Sequence, residues 1–217
     1  MIGRVLLAAL LAGIAAGLLM GLIQHVRLTP IILQAEVFEQ AAGHDHGAAW
    51  APADGLERTA YTFATTIVTG AAFAAMLAGI AMLLGQTISA RNGVLWGLAG
   101  FLAVSLAPAA GLPPELPGMA AADLGARQIW WAGAIAATGA GIGLLALRRE
   151  AWALAAGLAL IALPHLIGAP AGSQHESAVP AGLASLFTAN ALAAAALFWC
   201  AIGFSLGFTL DRMVKDD

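Results

Sequence analysis

Charge is what this sequence has least of. Only 10% of its 217 residues are Asp, Glu, Lys or Arg, while 61% are hydrophobic. A soluble domain carries about 25% charged residues, so this composition is that of an integral membrane protein in contact with the lipid bilayer. Lysine is almost missing: Lys215 is the only one, and Asp216 follows it. A Walker A loop needs a lysine before Ser or Thr, so ATP hydrolysis by that route is excluded and any ATPase must be another chain. Cysteine is limited to Cys200, inside an apolar run. No intrachain disulfide or thiolate cluster can form, and Cys200 reads as a small core residue. The formal net charge is -3, and without a basic excess there is no nucleic-acid footprint. No spacing ties a serine to a histidine base, so nothing indicates an enzyme.

What the chain does have is long apolar runs between sparse charges. These are Val5–Gln24, Tyr61–Leu84, Gly93–Gly111, Ile129–Leu147, Ala151–Gly168 and Leu183–Leu210. Each is near the about 20 residues a spanning helix needs. The expected fold is an all-α, polytopic helix bundle forming one membrane domain over 1–217, with six spans. The fifth run is the shortest and carries Pro164, so five spans is the alternative. The first run is too long for a signal-peptide core and is read as a retained span.

Sidedness follows from arginine and lysine in short loops. With the N-terminus inside, the inner face holds Arg4, Arg91, Arg148, Arg149, Arg212 and Lys215, and the outer face Arg27, Arg58 and Arg127. Six against three predicts both termini inside. All five histidines then fall at or near the outer face, with eight of the twelve acids. Imidazoles mixed with carboxylates suit borderline divalent cations.

The outer loop over residues 25–60 is the longest. His25 ends the first span. Thr29-Pro30 predicts a helix start, a cap residue followed by proline at the first helical position. On that short interfacial helix, Ile31, Ile32, Ala35 and Phe38 are expected on the membrane. Glu36 and Glu39, three apart, share the wet face. His44-Asp45-His46 follows between glycines, which let alternate residues bend toward one ion. His175-Glu176 sits in the last outer loop.

The apolar segment Leu163–Pro170 carries the sharpest candidate. At about 1.5 Å per residue from Trp152, His165 lies roughly 20 Å into a core about 30 Å thick. An imidazole there has a partner or a task. Pro164 removes one backbone donor, and Gly168 and Pro170 end the helix. Leu106–Pro113 echoes this stretch, so Pro108 and Pro164 are expected to mark two broken helices facing each other, in three related hairpins. The neutral polar residues Thr65, Thr66, Ser105 and Asn190 read as bonds between helices. Gly13, Gly17 and Gly21, with the pairs Gly93/Gly97, Gly139/Gly143 and Gly203/Gly207, read as small-xxx-small packing ridges.

Taken together, several stretches resemble one family over nearly the whole chain. They are Leu33-Gln34-Ala35-Glu36 with Glu39 and a histidine loop, Trp50-Ala51-Pro52, Asp54–Thr59, Leu112–Gly118 and Ala121-Ala122-Asp123 with Arg127-Gln128. Leu163–Pro170, Asn190-Ala191 and Phe198-Trp199 complete the set. This pattern is similar to that of the CbtA family, probable cobalt transporter subunits of bacteria. The resemblance implies a multi-pass inner-membrane subunit for cobalt uptake linked to cobalamin synthesis. It also implies a small partner, CbtB, with one span and a histidine-bearing end. The loop here holds only His44 and His46, fewer histidines than relatives can carry, which argues against a high-capacity metal store.

The expected function is therefore uptake of Co²⁺ as the transported ion, with no tightly bound cofactor and a homo-oligomer allowed. Glu36, Glu39, His44, Asp45, His46 and His175 are the expected outer metal ligands. His25 and His165 would pass the ion inward. Nickel import stays open, because both metals accept the same ligands. So do a haem protein with His25 and His165 as axial ligands and a non-transporting metal-binding scaffold.

Overall fold

The computed structural model describes residues 2–41, 50–172 and 177–215. Among these there is no strand, and the chain forms six helical segments. The first runs without a break through α1 (Ile2–Ile23), a π-helical turn at Gln24–Leu28, and α2 (Thr29–Ala41). Next come α3 (Leu56–Leu83) and a segment made of α4 (Gly93–Phe101), a second π turn at Leu102–Leu106, and α5 (Ala107–Ala109). The last three are α6 (Leu124–Leu147), α7 (Ala151–Ile167) and α8 (Ala181–Lys215). Four segments, Ile2–Ala41, Leu56–Leu83, Leu124–Leu147 and Ala181–Met213, are long and apolar enough to cross a membrane; Gly93–Ala109 and Ala151–Ile167 are shorter apolar helices.

Local chemistry sets the helix ends. Asp123 caps α6, its Oδ1 accepting from the Ala126 N–H at 2.9 Å, which satisfies one of the orphan donors of the first turn. Gly168, at φ 88°, ends α7, a conformation that costs glycine no Cβ clash.

Both π turns stand just before a proline. The Thr29 N–H donates to the Gln24 carbonyl and the Ala107 N–H to the Leu102 carbonyl, each five residues back. Pro30 and Pro108 supply no N–H and would crowd a regular preceding turn. Widening that turn by one residue lets the helix continue past the proline. The helix start expected at Thr29 therefore does not occur: Thr29 is itself helical, at φ −54° and ψ −46°.

Two compact units share the chain, one of residues 1–30, 46–98 and 193–217, the other of 31–45 and 99–192. In the first, α1 and α3 run antiparallel at backbone contact. A Cβ on Gly13 would collide with Ala71, and one on Gly17 with Ile67. Gly93 and Gly97 in α4 meet Gly203 and Trp199 in α8 in the same way. These ridges let van der Waals packing act where lipid removes the hydrophobic drive between helices. Trp199, Ile202 and Leu206 are the largest fully buried side chains, and Phe73 stacks on Trp199 at 4.6 Å.

In the second unit α6 and α7 cross where Gly141 meets Gly157. Gly139 and Gly143, expected to form that ridge, have nothing within 4 Å of their Cβ positions. The alternate glycine of the same run makes the contact instead. A separate apolar cluster joins Ile31 and Ala35 of α2 to Leu116 and Val179, with Ile32, Met119, Leu183 and Phe187 packed around it. Ile31 and Ala35 are thus buried in protein rather than laid out on lipid as expected. Thr66 and Asn190, read as bonds between helices, donate to Phe63 and Leu186 on their own helices at 3.0 and 2.8 Å.

Candidate metal path

His25 sits inside the first π turn, exposed, with Nδ1 3.5 Å from the Thr59 hydroxyl. That hydroxyl also donates to the Gly55 carbonyl at 2.8 Å. The imidazole contact is at the outer limit of a hydrogen bond, so it leaves the ring weakly held.

Glu36 and Glu39 lie on α2 and are both half-buried. Glu39 continues the row of Ile31 and Ala35, eight and four residues on, so it borders the apolar cluster, and Glu36 stands beside it on the helix. Gly118, at φ 81°, approaches so closely that a Cβ there would lie 3.1 Å from the Glu39 Cβ. Nearby in the chain, Glu115 pairs with Arg127 at 2.7 Å, both side chains about a quarter exposed. His44, Asp45, His46 and His175 lie outside the described residues. Among those that are described, no three His, Cys, Asp or Glu side chains gather closely enough to hold a metal ion.

His165 occupies the last turn of α7 and is itself exposed. Its ring meets Trp130 of α6 edge-on at 6.0 Å. The Trp130 indole N–H donates to the Pro164 carbonyl at 3.2 Å, and the Gly168 N–H reaches the same carbonyl at 3.1 Å. The end of α7 is thereby fixed to α6, and with it the position of the imidazole.

Beside His165 is a cavity of about 400 Å³. Leu102, Leu106, Ala107, Ala109 and Ala110 form one wall; Thr138, Ile142, Ile161 and Leu192 complete it with His165. Residues flanking Pro108 and the residue after Pro164 therefore border one space, although α7 runs through Pro164 to Ile167 rather than breaking there as expected. Thr138 is 2% exposed, and its hydroxyl has no hydrogen-bond partner. A buried hydroxyl left this way costs about 1–3 kcal/mol. Thr138 is not among the residues that the sequence singles out, although a signal exists. Apart from Trp130 and Trp131, it is the only polar side chain between Ile129 and Leu147.

Long apolar helices packed through glycine ridges, with an imidazole and a hydroxyl bordering one cavity, define a multi-pass helical membrane protein. More narrowly, the family model described as probable cobalt transporter subunit (CbtA) matches residues 2–211, and the chain belongs to that family. No curated protein and no solved structure matches it.

Proposed function

We propose that this chain is the membrane subunit through which Co²⁺ crosses the bacterial inner membrane toward the cytosol, in service of cobalamin synthesis. Six spans with both termini inside are the arrangement we adopt. The family supports cobalt as cargo and a transporter of more than one subunit; a small single-span CbtB-like chain is the partner we expect. Glu36, Glu39, His44, Asp45, His46 and His175 gather the ion at the outer face, and His25 and His165 pass it inward. Imidazole and carboxylate are the donors a borderline divalent ion accepts. An inside-negative potential favours a dication moving inward by about 4.6 kcal/mol per 100 mV, twice the single-charge value. The role is transport rather than catalysis.

The observation that carries this reading is His165, an imidazole next to a proline inside the helix and bordering a cavity among apolar helices. The test is radiocobalt uptake by cells expressing the full chain with its partner subunit. His165→Ala is expected to lower uptake at least about tenfold, the loss of one charge-assisted contact. Unchanged uptake removes His165 from the path.

A further inference from the structure

We propose that the cleft beside His165 seats one acyl chain of a membrane phospholipid, with the polar end of the lipid near His165 and the chain running inward between the helices. This goes beyond the importer reading and does not depend on it.

The lining sets the chemistry of the occupant. Apart from His165 and Thr138, every residue bordering the cleft is Leu, Ile or Ala. The Thr138 hydroxyl is sealed inside the protein, so it offers the cleft nothing. His165 is exposed and is left as the one polar group an occupant can reach. Water does not fit such walls, because a bound water needs about two to four polar partners. A void between packed helices forfeits dispersion contacts on both sides, so these walls favour hydrocarbon. At the His165 end the ring can meet a phosphate or ester oxygen, whereas the neighbouring Trp130 N–H is already spent on the Pro164 carbonyl.

The extent of the cleft matches one leaflet. Trp130 meets the His165 ring, and a Cβ on Gly111 would collide with the same indole, so His165, Trp130 and the end of α5 share one level. Arg127, paired with Glu115, stands three residues before Trp130, about 4.5 Å along the helix, and marks the polar side. In the other direction Ile142 lies twelve residues past Trp130, about 18 Å. Leu102 lies eight residues from Ala110, about 12 Å. Half of a hydrocarbon core about 30 Å thick is about 15 Å.

Volume separates a lipid chain from a partner helix. A helix with its side chains is about 10 Å across, so about 15 Å of one occupies about 1,200 Å³. The cleft holds about 400 Å³, room for a single file of methylenes and far too little for a helix. Its mouth is open, with Leu102 and Leu106 exposed at the rim, so a chain can enter sideways from the bilayer. Once seated it completes the packing between α5, α6 and α7 and keeps water out of the wall beside His165.

The experiment reconstitutes the full chain in vesicles of dioleoyl phosphatidylcholine that contain a trace of phosphatidylcholine with a diazirine near the methyl end of one chain. Photolabelled residues are mapped by mass spectrometry. Wild type is compared with Ile142→Trp and Ala109→Leu, which fill the cleft, and with Leu158→Trp, at an exposed position of α7 outside it. The melting temperature of each is recorded. Labelling of Leu102, Ile142 and Leu192 is expected to exceed that of exposed Leu158 severalfold. Both filling variants should lose this excess, and Leu158→Trp should keep it. A diazirine near the carboxyl end of the chain should move the label toward Ala110 and His165. Even labelling of cleft and exposed positions shows boundary lipid alone and overturns the proposal. An excess that survives in both filling variants overturns it too, as does a pattern given by a diazirine fatty acid but not by the phospholipid. Should a filling variant melt well below wild type, the other carries the comparison; if both do, the wild-type map decides. No readout here involves cobalt, so a failed lipid site leaves the importer reading in place, and failed uptake leaves the lipid site.

Discussion

Glu36 and Glu39 lie half-buried on α2, next to the row that carries Ile31 and Ala35 into the apolar cluster, and neutralising both tests their part in capture. Glu36→Gln with Glu39→Gln is expected to raise the KM for cobalt severalfold and leave the maximal rate unchanged. The difference from wild type should shrink as salt is raised, because screening removes long-range attraction at about 10 Å in 0.1 M salt. An unaltered KM at low salt would remove the pair from capture. At this scale the sequence is informative where a residue is chemically out of place. His165 in an apolar run, or two glutamates three apart, can be picked out without coordinates. Thr138 cannot be singled out in the same way. Thr66 and Thr138 look alike in sequence, yet one donates to Phe63 and the other has no partner. Which hydroxyl is left over depends on packing that no local pattern encodes.

Two features govern the helices as elements: prolines preceded by π turns, and glycines at points of backbone contact. Replacing Pro108 by alanine returns the missing N–H and removes a residue that costs about 3 kcal/mol inside a helix. Pro108→Ala should therefore raise the melting temperature. If the widened turn shapes the cavity wall, uptake should fall at the same time. A more stable chain with full uptake would show that the π turn has no part in the path. Gly17 faces the α3 backbone at Ile67 with no room for a side chain. Gly17→Val is expected to cost about 1–3 kcal/mol by overpacking, read as a lower melting temperature, whereas valine at Gly139, with nothing within 4 Å, should be tolerated. The six apolar runs are legible because span length and charge spacing mark them. The π turns are not, because a uniformly apolar segment does not reveal which carbonyl has lost its donor. The same limit explains why spacing points to Gly139 and Gly143 rather than Gly141: it identifies a candidate ridge, but only the rotation of the helix decides which side meets its neighbour.

For the whole molecule, scarcity of charge is what allows the chain to lie in lipid, and the few charges it keeps are distributed unevenly. Six basic residues on one side against three on the other underlie the proposed sidedness. A fluorescent protein fused after Asp217 should therefore fold in the cytosol and fluoresce, and alkaline phosphatase fused after Pro52 should be active outside. The opposite pattern would reverse the direction in which the histidines and carboxylates face. The fold class and membrane character are legible from composition alone. The division into two compact units is legible only in part: one boundary follows Pro30, but two others fall inside α4 and α8, where no proline or charge marks a change. The most direct measurement is radiocobalt accumulation by cells with and without this chain and its partner, at micromolar cobalt, before and after the membrane potential is collapsed. Accumulation that depends on the chain and falls with the potential is the predicted result. Equal accumulation without the chain, or faster loss of cobalt from preloaded cells that express it, would contradict inward transport.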